Sequence, residues 1–536
     1  MNTAWNPPVE LSEEEERILR LCKKHKLWSF LRKYRHVLFD DEVHAELARM
    51  YASSGRGRPP GPPERLALAM LVQVAFDVAD HEVPTLTAVD RRWQMLLDCL
   101  GAMEPVISQG TVFNFRERAR ANGLMKRLLD KTVELARATK GFSHKRLRAI
   151  FDSSPLVGAG RVEDTFNLLG RAIGRLVEVA AVEADCEADV VAEQLGLSVT
   201  LASSVKAALD VDWREPEARA AALQELLSQF DNLMRWLRTQ FSEERLIQPP
   251  LGEHIEMVKR IIEQDTEPDP NSPSGSNRLR QNDPKKDRRV ARDRLVSLSD
   301  PDMRHGRKSR SKVFAGYKRH VAVDVDIQGL ICEVEVQPAN EHDHEAAGPL
   351  LQRLDARGFK LTELHIDRGY LASEDVVGRH DRGLKVISKP PSPPRSTHYT
   401  NDKFDVDFAD GTVMCPGGTV VPIKLDKPIN FPRPVCRGCN HRDACVGKDA
   451  KRGRQVRLNP NEQWYREMAA ELATPDGRAQ RRERTPVEHA LARVDSIQGD
   501  RARFLGLEKN QFDLERTAVV NNCYVLNALF DERMAA

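Results

Sequence analysis

The chain has 536 residues, of which 40% are hydrophobic and 30% are charged, and its net charge is only +2. This length suggests about three or four domains. No stretch approaches the ~18 apolar residues that a membrane span needs, and residues 1–16 contain no apolar run of the signal-peptide type, so we expect a cytoplasmic protein without a membrane partner. Nine cysteines in a chain of this length exclude a disulfide scaffold.

Helical patterns fill the first 140 residues. A capping box formed by Ser12 and Glu15 opens the first helix. Pro63 opens a strongly helical run, because proline is well tolerated at the first helical position. Further helices fit residues 86–99 and 109–138. We therefore predict that this part of the chain is an all-helical domain.

A short apolar run from Leu147 to Phe151 departs from the helical pattern. It predicts a buried strand that ends at Asp152 and continues into a loop at Ser153-Ser154-Pro155. Long amphipathic helices return between residues 166 and 265. The strand is thus separated from the rest of its sheet by a long helical segment.

A strongly basic run follows these helices. Residues 278–320 contain fifteen Lys and Arg residues against five acids, a net charge of +10. Such a run favours contacts with phosphate groups, which give salt-sensitive binding without sequence choice. The alternative is a solvated, flexible linker.

Strand and helix patterns alternate between residues 317 and 388. A hairpin, a helix over 345–356, a strand that ends at Asp367 and a short strand over 384–387 follow one another. This alternation predicts an α/β layer fold. Residues 389–460 are then predicted to be irregular.

Three carboxylates are candidates for a metal site. Asp152 and Asp367 each follow a predicted strand, and reactive groups gather at the carboxyl ends of strands in α/β sheets. Glu488 lies in the first turn of a predicted helix, after Pro486. If they converge, the three would hold two Mg²⁺ ions for phosphoryl transfer. An Asp at a strand end is also common as a turn former or helix cap, so position alone does not decide between the two roles.

Four of the nine cysteines lie close together late in the chain. Cys436 and Cys439 form a CxxC knuckle of the type that binds Zn²⁺, and Cys415 and Cys445 could complete a tetrahedral site. His441 is an alternative ligand. A metal would stabilise this segment, which is short of apolar residues. The alternative is a set of free thiols in a loop.

Several separated segments resemble, in order, the motifs of the DDE transposases of bacterial insertion sequences. The resemblance covers roughly the whole chain, and the ordered set is specific where one motif alone would be weak. The segments that carry it are Arg58-Pro59-Pro60 to Phe113-Asn114-Phe115-Arg116, Ile150-Phe151-Asp152-Ser153-Ser154-Pro155 with Asp164-Thr165-Phe166-Asn167-Leu168-Leu169, Asp300-Pro301-Asp302, Arg304-His305-Gly306-Arg307-Lys308, Gly316-Tyr317-Lys318, Pro338-Ala339-Asn340-Glu341-His342-Asp343, His365-Ile366-Asp367-Arg368-Gly369-Tyr370, Arg484-Thr485-Pro486-Val487-Glu488-His489, Gly506-Leu507 and Asn521-Asn522.

The resemblance implies a fold in the α/β class with a ribonuclease H-like catalytic core. Asp152 would lie on its first strand, Asp367 after its fourth strand, and Glu488 on a later helix. The implied N-terminal part is a helical DNA-binding or assembly domain over 1–140. The core then begins with its first strand over 141–170 and is interrupted by a helical insertion and basic linker over 171–300. It continues over 301–390, is interrupted again by a Cys-rich insertion with the predicted zinc site over 391–480, and ends with the C-terminal core helices over 481–536.

The resemblance also implies an activity. The enzyme would cut DNA at the ends of an insertion sequence and join them to target DNA, with Asp152, Asp367 and Glu488 as catalytic residues that bind two Mg²⁺ or Mn²⁺ ions. Its partners would be the terminal inverted repeats, target DNA and a second copy of the chain, in association with a bacterial nucleoid. Two alternatives stay open: a transposase-derived DNA-binding protein that no longer cuts, and a metal-dependent nuclease without strand transfer.

The expected DNA contacts lie in two regions. Helices over 64–78, 86–99 and 109–122 would form a reader of the helix-turn-helix type, although their spacing fits a structural bundle equally well. The expected DNA-binding residues are Thr111, Asn114, Arg116 and Arg118 on the last of these helices, and Arg307, Lys308, Lys312, Lys318, Arg368, Arg481, Arg484 and Arg493 in the core.

The sequence departs from related transposases around Glu488. In those proteins a Tyr can precede the Arg of the Arg–x3–Glu motif by three positions, and a Lys can follow the Glu by seven. Here the positions hold Arg481 and Asp495, so Arg481, Arg482 or Arg493 would supply the cationic contacts. Trp464 and Tyr465 could stack on unpaired bases near the cut, or simply pack in the fold.

Overall fold

The structure is a computed structural model that describes residues 5–51, 61–142, 146–270, 278–282, 291–309, 311–393, 396–447 and 451–535. Within these ranges, no helix is both long and apolar enough to cross a membrane. The described strands are β1 (Arg146–Val157), β2 (Thr266–Pro268), β3 (Leu279–Gln281), β4 (Arg304–Arg307), β5 (Val313–Asp324), β6 (Ile331–Pro338), β7 (Lys360–His365), β8 (Lys385–Ile387), β9 (Asp405–Asp407), β10 (Thr412–Met414), β11 (Val420–Pro422), β12 (Pro428–Asn430) and β13 (Gln455–Arg457).

The N-terminal region is helical, as the sequence predicts. Its first helix begins at the predicted capping box, where Ser12 Oγ accepts a hydrogen bond from the Glu15 backbone N–H over 3.2 Å. The single helix predicted over 86–99 is instead two short helices, because Asp90 caps a new one by accepting from the Arg92 N–H. The α-helices before β1 are Glu13–Leu21, Lys26–Leu38, Asp41–Arg49, Pro63–Phe76, Val83–Val89, Arg91–Leu96, Gln109–Ala121 and Leu124–Thr139.

One six-stranded mixed sheet forms the centre of the molecule, which confirms the predicted α/β class. Its order is β6-β5-β1-β7-β8, and β4 pairs with the first residues of β5. β1 is antiparallel to β5 but parallel to β7, and β7 is parallel to β8. The helices Asp343–Ala356 and Glu374–Asp381 connect β6 to β7 and β7 to β8.

β1 is longer than the sequence predicts. The predicted strand ends before Asp152, but the observed strand continues to Val157, so the loop expected at Ser153-Ser154-Pro155 is wrong. Pro155 pairs with Lys318 of β5. β7 pairs with β1 only as far as Ile150, and the next bridge on that edge is at Val157, which pairs with Arg501. Pro155 therefore lies in an unpaired stretch of this edge, where proline is tolerated.

A helical unit with its own hydrophobic core separates β1 from β4. Leu176, Leu226 and Ile255 are among the side chains buried in this second core. The chain leaves the unit through β2 and β3, which pair as an antiparallel ribbon. The α-helices of the unit are Thr165–Glu183, Ala188–Leu195, Val205–Ala208, Pro216–Gln240, Glu243–Leu246 and Leu251–Asp265.

The segment over 389–460, predicted to be irregular, instead contains β9 to β13. These strands are only three residues long, and they form a three-stranded and a two-stranded sheet. Strands this short leave no periodic pattern to read in the sequence. They surround a small core of Phe404, Val413, Ile429, Phe431, Val456 and Leu458, accompanied by the helices Arg433–Arg437 and Arg442–Cys445.

The last helix joins the central sheet to the N-terminal helices. Asn522 on this helix is fully buried. Its Nδ2 donates to Thr132 Oγ1 over 3.0 Å and to the Ile331 carbonyl over 2.8 Å, and its Oδ1 accepts from the Ile331 N–H over 2.9 Å. The α-helices after β13 are Glu462–Ala473, Pro475–Arg482, Thr485–Gln498 and Leu507–Ala535.

Candidate active site

The sheet register brings Asp152 and Asp367 together. Ile150 of β1 lies opposite His365 at the end of β7. Each aspartate follows two residues later on its own segment, and side chains two residues apart in a strand point to the same face. The two carboxylates therefore meet on one face of the sheet, where β1 and β7 separate.

Arg484 connects these carboxylates to the helix that carries Glu488. Its guanidinium lies 2.8 Å from Asp152 Oδ1 and 3.6 Å from Asp367 Oδ1. It stands immediately before the helix Thr485–Gln498, and Glu488 is exposed in the first turn. We call Asp152, Asp367 and Glu488 the carboxylate triad.

The electrostatics of the triad favour an added cation. Burial raises the pKa of the Asp152 carboxyl, and the nearby charge of Asp367 adds to the rise, although Arg484 and the Ser153 N–H act in the opposite direction. Burial is the largest cause of this rise, because removal from water disfavours the charged form of the carboxyl. A hard divalent cation with oxygen ligands would remove that penalty, so the donor set fits Mg²⁺ or Mn²⁺.

A pocket of about 350 Å³ opens beside Asp367 and Glu488. Its floor includes Ile366 and Ile387, and much of its wall is cationic. The sequence indicates Arg481, Arg482 and Arg484 as contacts but misses two other cations. Five cations line this pocket, and we call the four other than Arg484 the cationic rim; they are Lys389, Arg478, Arg481 and Arg482.

A second charged cluster lies on the same face of the sheet, below the triad. Arg148 is the direct strand neighbour of Glu363, and its guanidinium donates to Glu363 over 2.6 Å and also to Glu483. His365 Nε2 lies 2.7 Å from Glu363. Among the described residues, one group of three potential metal ligands has all its ligand atoms within 4.8 Å of one another; it consists of Glu363, His365 and Glu483. We call this cluster, with Arg148, the salt-bridge layer.

Several predicted DNA-binding cations are exposed. Arg307 is exposed at the end of β4, and Lys308 and Lys312 are exposed in the segment between β4 and β5. No carboxylate of the described part of the chain pairs with these three cations. Arg368 is exposed next to Asp367, and its guanidinium donates to Ser392 Oγ. Residues 283–290 and Arg310 of the basic run lie outside the described residues.

Three predicted DNA-binding cations are instead engaged inside the protein. Arg116 pairs with Asp80. Lys318 donates to Asp343 over 2.8 Å. Arg493 donates to Asn521 and stands over the Tyr524 ring. Each of these cations meets a partner that is distant in sequence and therefore invisible to a local charge pattern, and their role as DNA contacts stays a prediction. The partners are Asp80 for Arg116, Asp343 and the Glu341 carbonyl for Lys318, and Asn521 and Tyr524 for Arg493.

The helix Gln109–Ala121 keeps an outward polar face. Val112 and Phe115 are buried, whereas Thr111 and Asn114 are exposed. These two residues line a pocket of about 510 Å³ together with Arg118, whose guanidinium lies 4.4 Å from the centre of the Tyr51 ring. The face could meet a ligand, but its geometry alone also fits a structural bundle.

Three of the four clustered cysteines, Cys415, Cys436 and Cys445, pack against the small core of β9 to β13. A Cβ at Gly417 would lie 2.8 Å from Cys439 Sγ and 3.7 Å from Cys415 Sγ, so both sulfurs face this glycine. Burial raises the pKa of the Cys445 thiol, and the other three thiols, Cys415, Cys436 and Cys439, contribute to the rise. The His441 ring faces the Tyr399 hydroxyl at 3.3 Å.

The predicted stacking residues serve in packing. Trp464 is 8% exposed, and its ring stacks on His380 with centroids 4.3 Å apart. Tyr465 packs against the Trp464 ring at 5.4 Å. The side chain of Trp464 is therefore occupied within the fold, which favours the packing alternative.

Two stretches of the chain match family models. Residues 283–523 match the transposase DDE domain, and residues 18–118 match a transposase domain (DUF772). The first match begins after β1, so it includes Asp367 and Glu488 but not Asp152. No curated protein and no solved structure matches the chain.

Proposed function

We propose that this chain, which belongs to the DDE-type transposases of insertion sequences, cuts DNA at the ends of its element and joins the freed ends to target DNA. The observation that carries the proposal is the meeting of Asp152 and Asp367 on one sheet face, joined through Arg484 to the start of the Glu488 helix. The element ends and the target would be its nucleic-acid partners.

The sheet supports assignment of the core to the ribonuclease H-like fold. The resemblance places one acid on the first strand and another after the fourth. Asp152 lies in β1, and Asp367 follows β7, which is the fourth of the five main strands in chain order when the short β4 is set aside. The helical unit between β1 and β4 would then be an insertion into this core, and β9 to β13 a second, Cys-rich insertion.

The carboxylate triad would hold the metal ions of the reaction. When bound, two Mg²⁺ or Mn²⁺ ions activate a water or a 3′-hydroxyl and stabilise the leaving oxygen. Asp152, 19% exposed, would provide the more enclosed ligand, and Asp367, 56% exposed, the more accessible one. Glu488 is exposed on its helix, so its side chain is free to rotate toward the other two.

The cationic rim would hold the DNA strand while the triad acts on it. Arg478, Arg481 and Arg482 are exposed, and no carboxylate in the described ranges lies within ion-pair distance of them. Guanidinium groups bind phosphate oxygens in forked geometry and carry no sequence choice. The rim thus positions a strand of any sequence, whereas the face of Thr111 and Asn114 would read the element's terminal repeats in the major groove.

Two further parts belong to the proposal. Cys415, Cys436, Cys439 and Cys445 would bind one structural Zn²⁺ that stabilises the small core of β9 to β13. Two copies of the chain would pair the two element ends, because both ends must be held together for joining. A protein of this kind would be associated with the nucleoid of a bacterial cell.

The experiment that tests the function is Mg²⁺-dependent cleavage of DNA that carries the element's own ends. Wild type is compared with Glu488→Gln and with Glu374→Gln, which removes an exposed carboxylate from the first turn of another helix. We expect Glu488→Gln to bind the ends but not to cut them, and Glu374→Gln to cut normally. Equal cleavage by all three would remove Glu488 from the site.

A second assay separates transposase from nuclease. A pre-cut element end with a free 3′-hydroxyl is mixed with supercoiled plasmid and Mg²⁺. We expect joined products that depend on Asp152. Cleavage of the ends without any joining would indicate a nuclease, and binding without either reaction would indicate a DNA-binding derivative.

A further inference from the structure

A fourth carboxylate, Asp343, lies beside the triad, and the proposed reaction does not use it. It is the first residue of the helix Asp343–Ala356, and its side chain is 23% exposed. Lys318 Nζ donates to Asp343 Oδ1 over 2.8 Å, and Ser153 Oγ donates to Oδ2 over 3.2 Å. Both oxygens of this carboxylate are therefore held by protein donors.

Ser153 connects Asp343 to the first aspartate of the triad. The Ser153 backbone N–H donates to Asp152 Oδ1 over 2.9 Å, while its hydroxyl donates to Asp343. One residue of β1 thus contacts both carboxylates. A shift of Asp343 would be passed to the strand position that carries Asp152.

Gly369 connects Asp343 to the second aspartate. It lies two residues after Asp367, in the turn Arg368–Tyr370. A Cβ at this glycine would lie 2.9 Å from Asp343 Oδ2 and 3.1 Å from the Asp343 Cβ. Its φ is not in the left-handed region, so the close approach of Asp343 is what requires glycine here.

Lys318 keeps the Asp343 carboxylate charged and in place. Burial by itself raises the pKa of Asp343, but hydrogen bonds from Lys318 and Ser153 and the nearby charges lower it overall. Lys318 also donates to the Glu341 carbonyl over 2.7 Å. This lysine therefore anchors the loop before the helix as well as the carboxylate at its start.

We propose that Asp343 is a positioning residue that fixes the separation of Asp152 and Asp367 by joining β1 to the turn after β7. The inference rests on the proposed function, in which those two aspartates share divalent cations. Without Asp343, the turn that carries Asp367 moves relative to β1, and the pair binds the cations more weakly. Asp343 acts through its neighbours and need not touch metal or DNA.

The test measures Mn²⁺ binding to the full chain without DNA, by the electron paramagnetic resonance signal of free Mn²⁺. Asp343→Asn keeps the shape of the side chain but loses its charge. Glu345→Gln is the matched control, since it removes a partly exposed carboxylate from the same helix that pairs only with peripheral groups, Arg292 and His344. We expect Asp343→Asn to weaken Mn²⁺ binding about 10-fold or more, as loss of a group that orients metal ligands commonly does. Glu345→Gln should bind as wild type does.

A double-mutant cycle separates positioning from a general loss of structure. Gly369→Ala places a Cβ against Asp343, so we expect it to weaken Mn²⁺ binding severalfold in the wild-type background. In the Asp343→Ala background the contacts with Oδ2 and Cγ are gone and only the 3.1 Å contact with the Cβ of residue 343 remains, so the same change should have less effect. Equal effects in both backgrounds would overturn the proposal, as would wild-type Mn²⁺ binding by a folded Asp343→Asn.

Asp152→Asn distinguishes this inference from the function on which it rests. If Asp152→Asn leaves Mn²⁺ binding unchanged, the proposed metal site itself fails. If Asp152→Asn abolishes binding and Asp343→Asn has no effect, only the positioning role fails. Ser153→Ala, which removes one of the two links and leaves the charge in place, should weaken Mn²⁺ binding less than Asp343→Asn.

Discussion

The carboxylate triad and the salt-bridge layer are built by the same three parts of the chain. β1 contributes Asp152 to the first and Arg148 to the second. β7 and the turn after it contribute one acid to each. The third part contributes Glu488 of the helix to the triad and Glu483, just before that helix, to the salt-bridge layer. Four residues separate the two layers on β1, which is about 13 Å in a strand, yet their charge balance differs.

The salt-bridge layer is closed because its acids already have cations. Arg148 contacts Glu363 and Glu483, and Lys385 Nζ lies 3.6 Å from Glu363. The triad has Arg484 as its shared cation and opens into the cationic rim. The acids of the salt-bridge layer lie closer together than those of the triad, but their carboxylate oxygens are already paired with Arg148 and Lys385. Proximity of acids alone therefore does not identify a metal site.

The largest expected effect comes from removing one acid of the carboxylate triad. Asp152→Asn should lower the rate of DNA-end cleavage by about 10³-fold or more, close to 4 kcal/mol in the barrier, because one of the proposed metal ligands is lost. Asp326→Asn is the matched change in the closed layer, since Asp326 pairs with Arg148. Its cleavage should stay within severalfold of wild type in a gel assay. Cleavage by Asp152→Asn within 10-fold of wild type would contradict the assignment.

A smaller effect on cleavage, but a larger one on stability, should follow from opening the closed layer. Arg148→Met leaves Glu363 and Glu483 without their shared cation, so we expect the free energy of unfolding to fall by about 1–3 kcal/mol, discounted because Arg148 is 32% exposed. Cleavage should fall about 10-fold. Arg146→Met, an exposed cation on the same strand, is the control in urea unfolding.

The difference in stability between wild type and Arg148→Met should depend on pH in a defined direction. Burial raises the pKa of Glu363, but His365 and Arg148 lower it overall, below its ordinary value of 4.5. A lowered pKa stabilises the fold above the unfolded value, and the contribution is lost as pH falls through the folded value. The stability difference between wild type and Arg148→Met should therefore be full at neutral pH and shrink below about pH 4.5.

A substitution in the cationic rim tests whether DNA binds beside the carboxylate triad. Arg482→Gln should reduce the slope of log affinity against log salt by about one phosphate contact and weaken end binding about fivefold. The loss should be equal for element ends and for unrelated DNA. Arg382→Gln, an exposed arginine away from the pocket, should leave the slope unchanged in fluorescence anisotropy titrations.

The smallest effect on cleavage is expected far from both layers. Cys436→Ser should remove one bound Zn²⁺ per chain, measured by elemental analysis, and should expose the segment over 389–460 to protease. Cleavage at saturating Mg²⁺ should change by less than about threefold, because the cysteines contact neither layer. Cys186→Ser, at an exposed position outside the cluster, should change neither metal content nor proteolysis.

The sequence predicts β1, β5, β6, β7 and β8, because apolar runs are local features, and it places Asp152 and Asp367 beside two of them. It misses the short β4 and the continuation of β1 beyond Asp152. It cannot show that β1 and β7 are neighbours, since 215 residues separate Asp152 from Asp367 and pairing across that distance leaves no periodic pattern. The same limit explains why the sequence does not show the internal partners of Arg116 and Lys318. A cation looks free in sequence when its partner is non-local.

The C-terminal helix has a consequence for how the protein is made. Asn522 supplies hydrogen bonds to β6 and to Thr132 of the N-terminal region, and Phe530 packs against Phe30 and Tyr34. During translation, these partners emerge from the ribosome before the helix that joins them is synthesised. A nascent chain that stops before Leu507 would carry all three carboxylates on an incompletely supported sheet, so we expect the proposed cleavage activity to begin only once translation of that helix is finished.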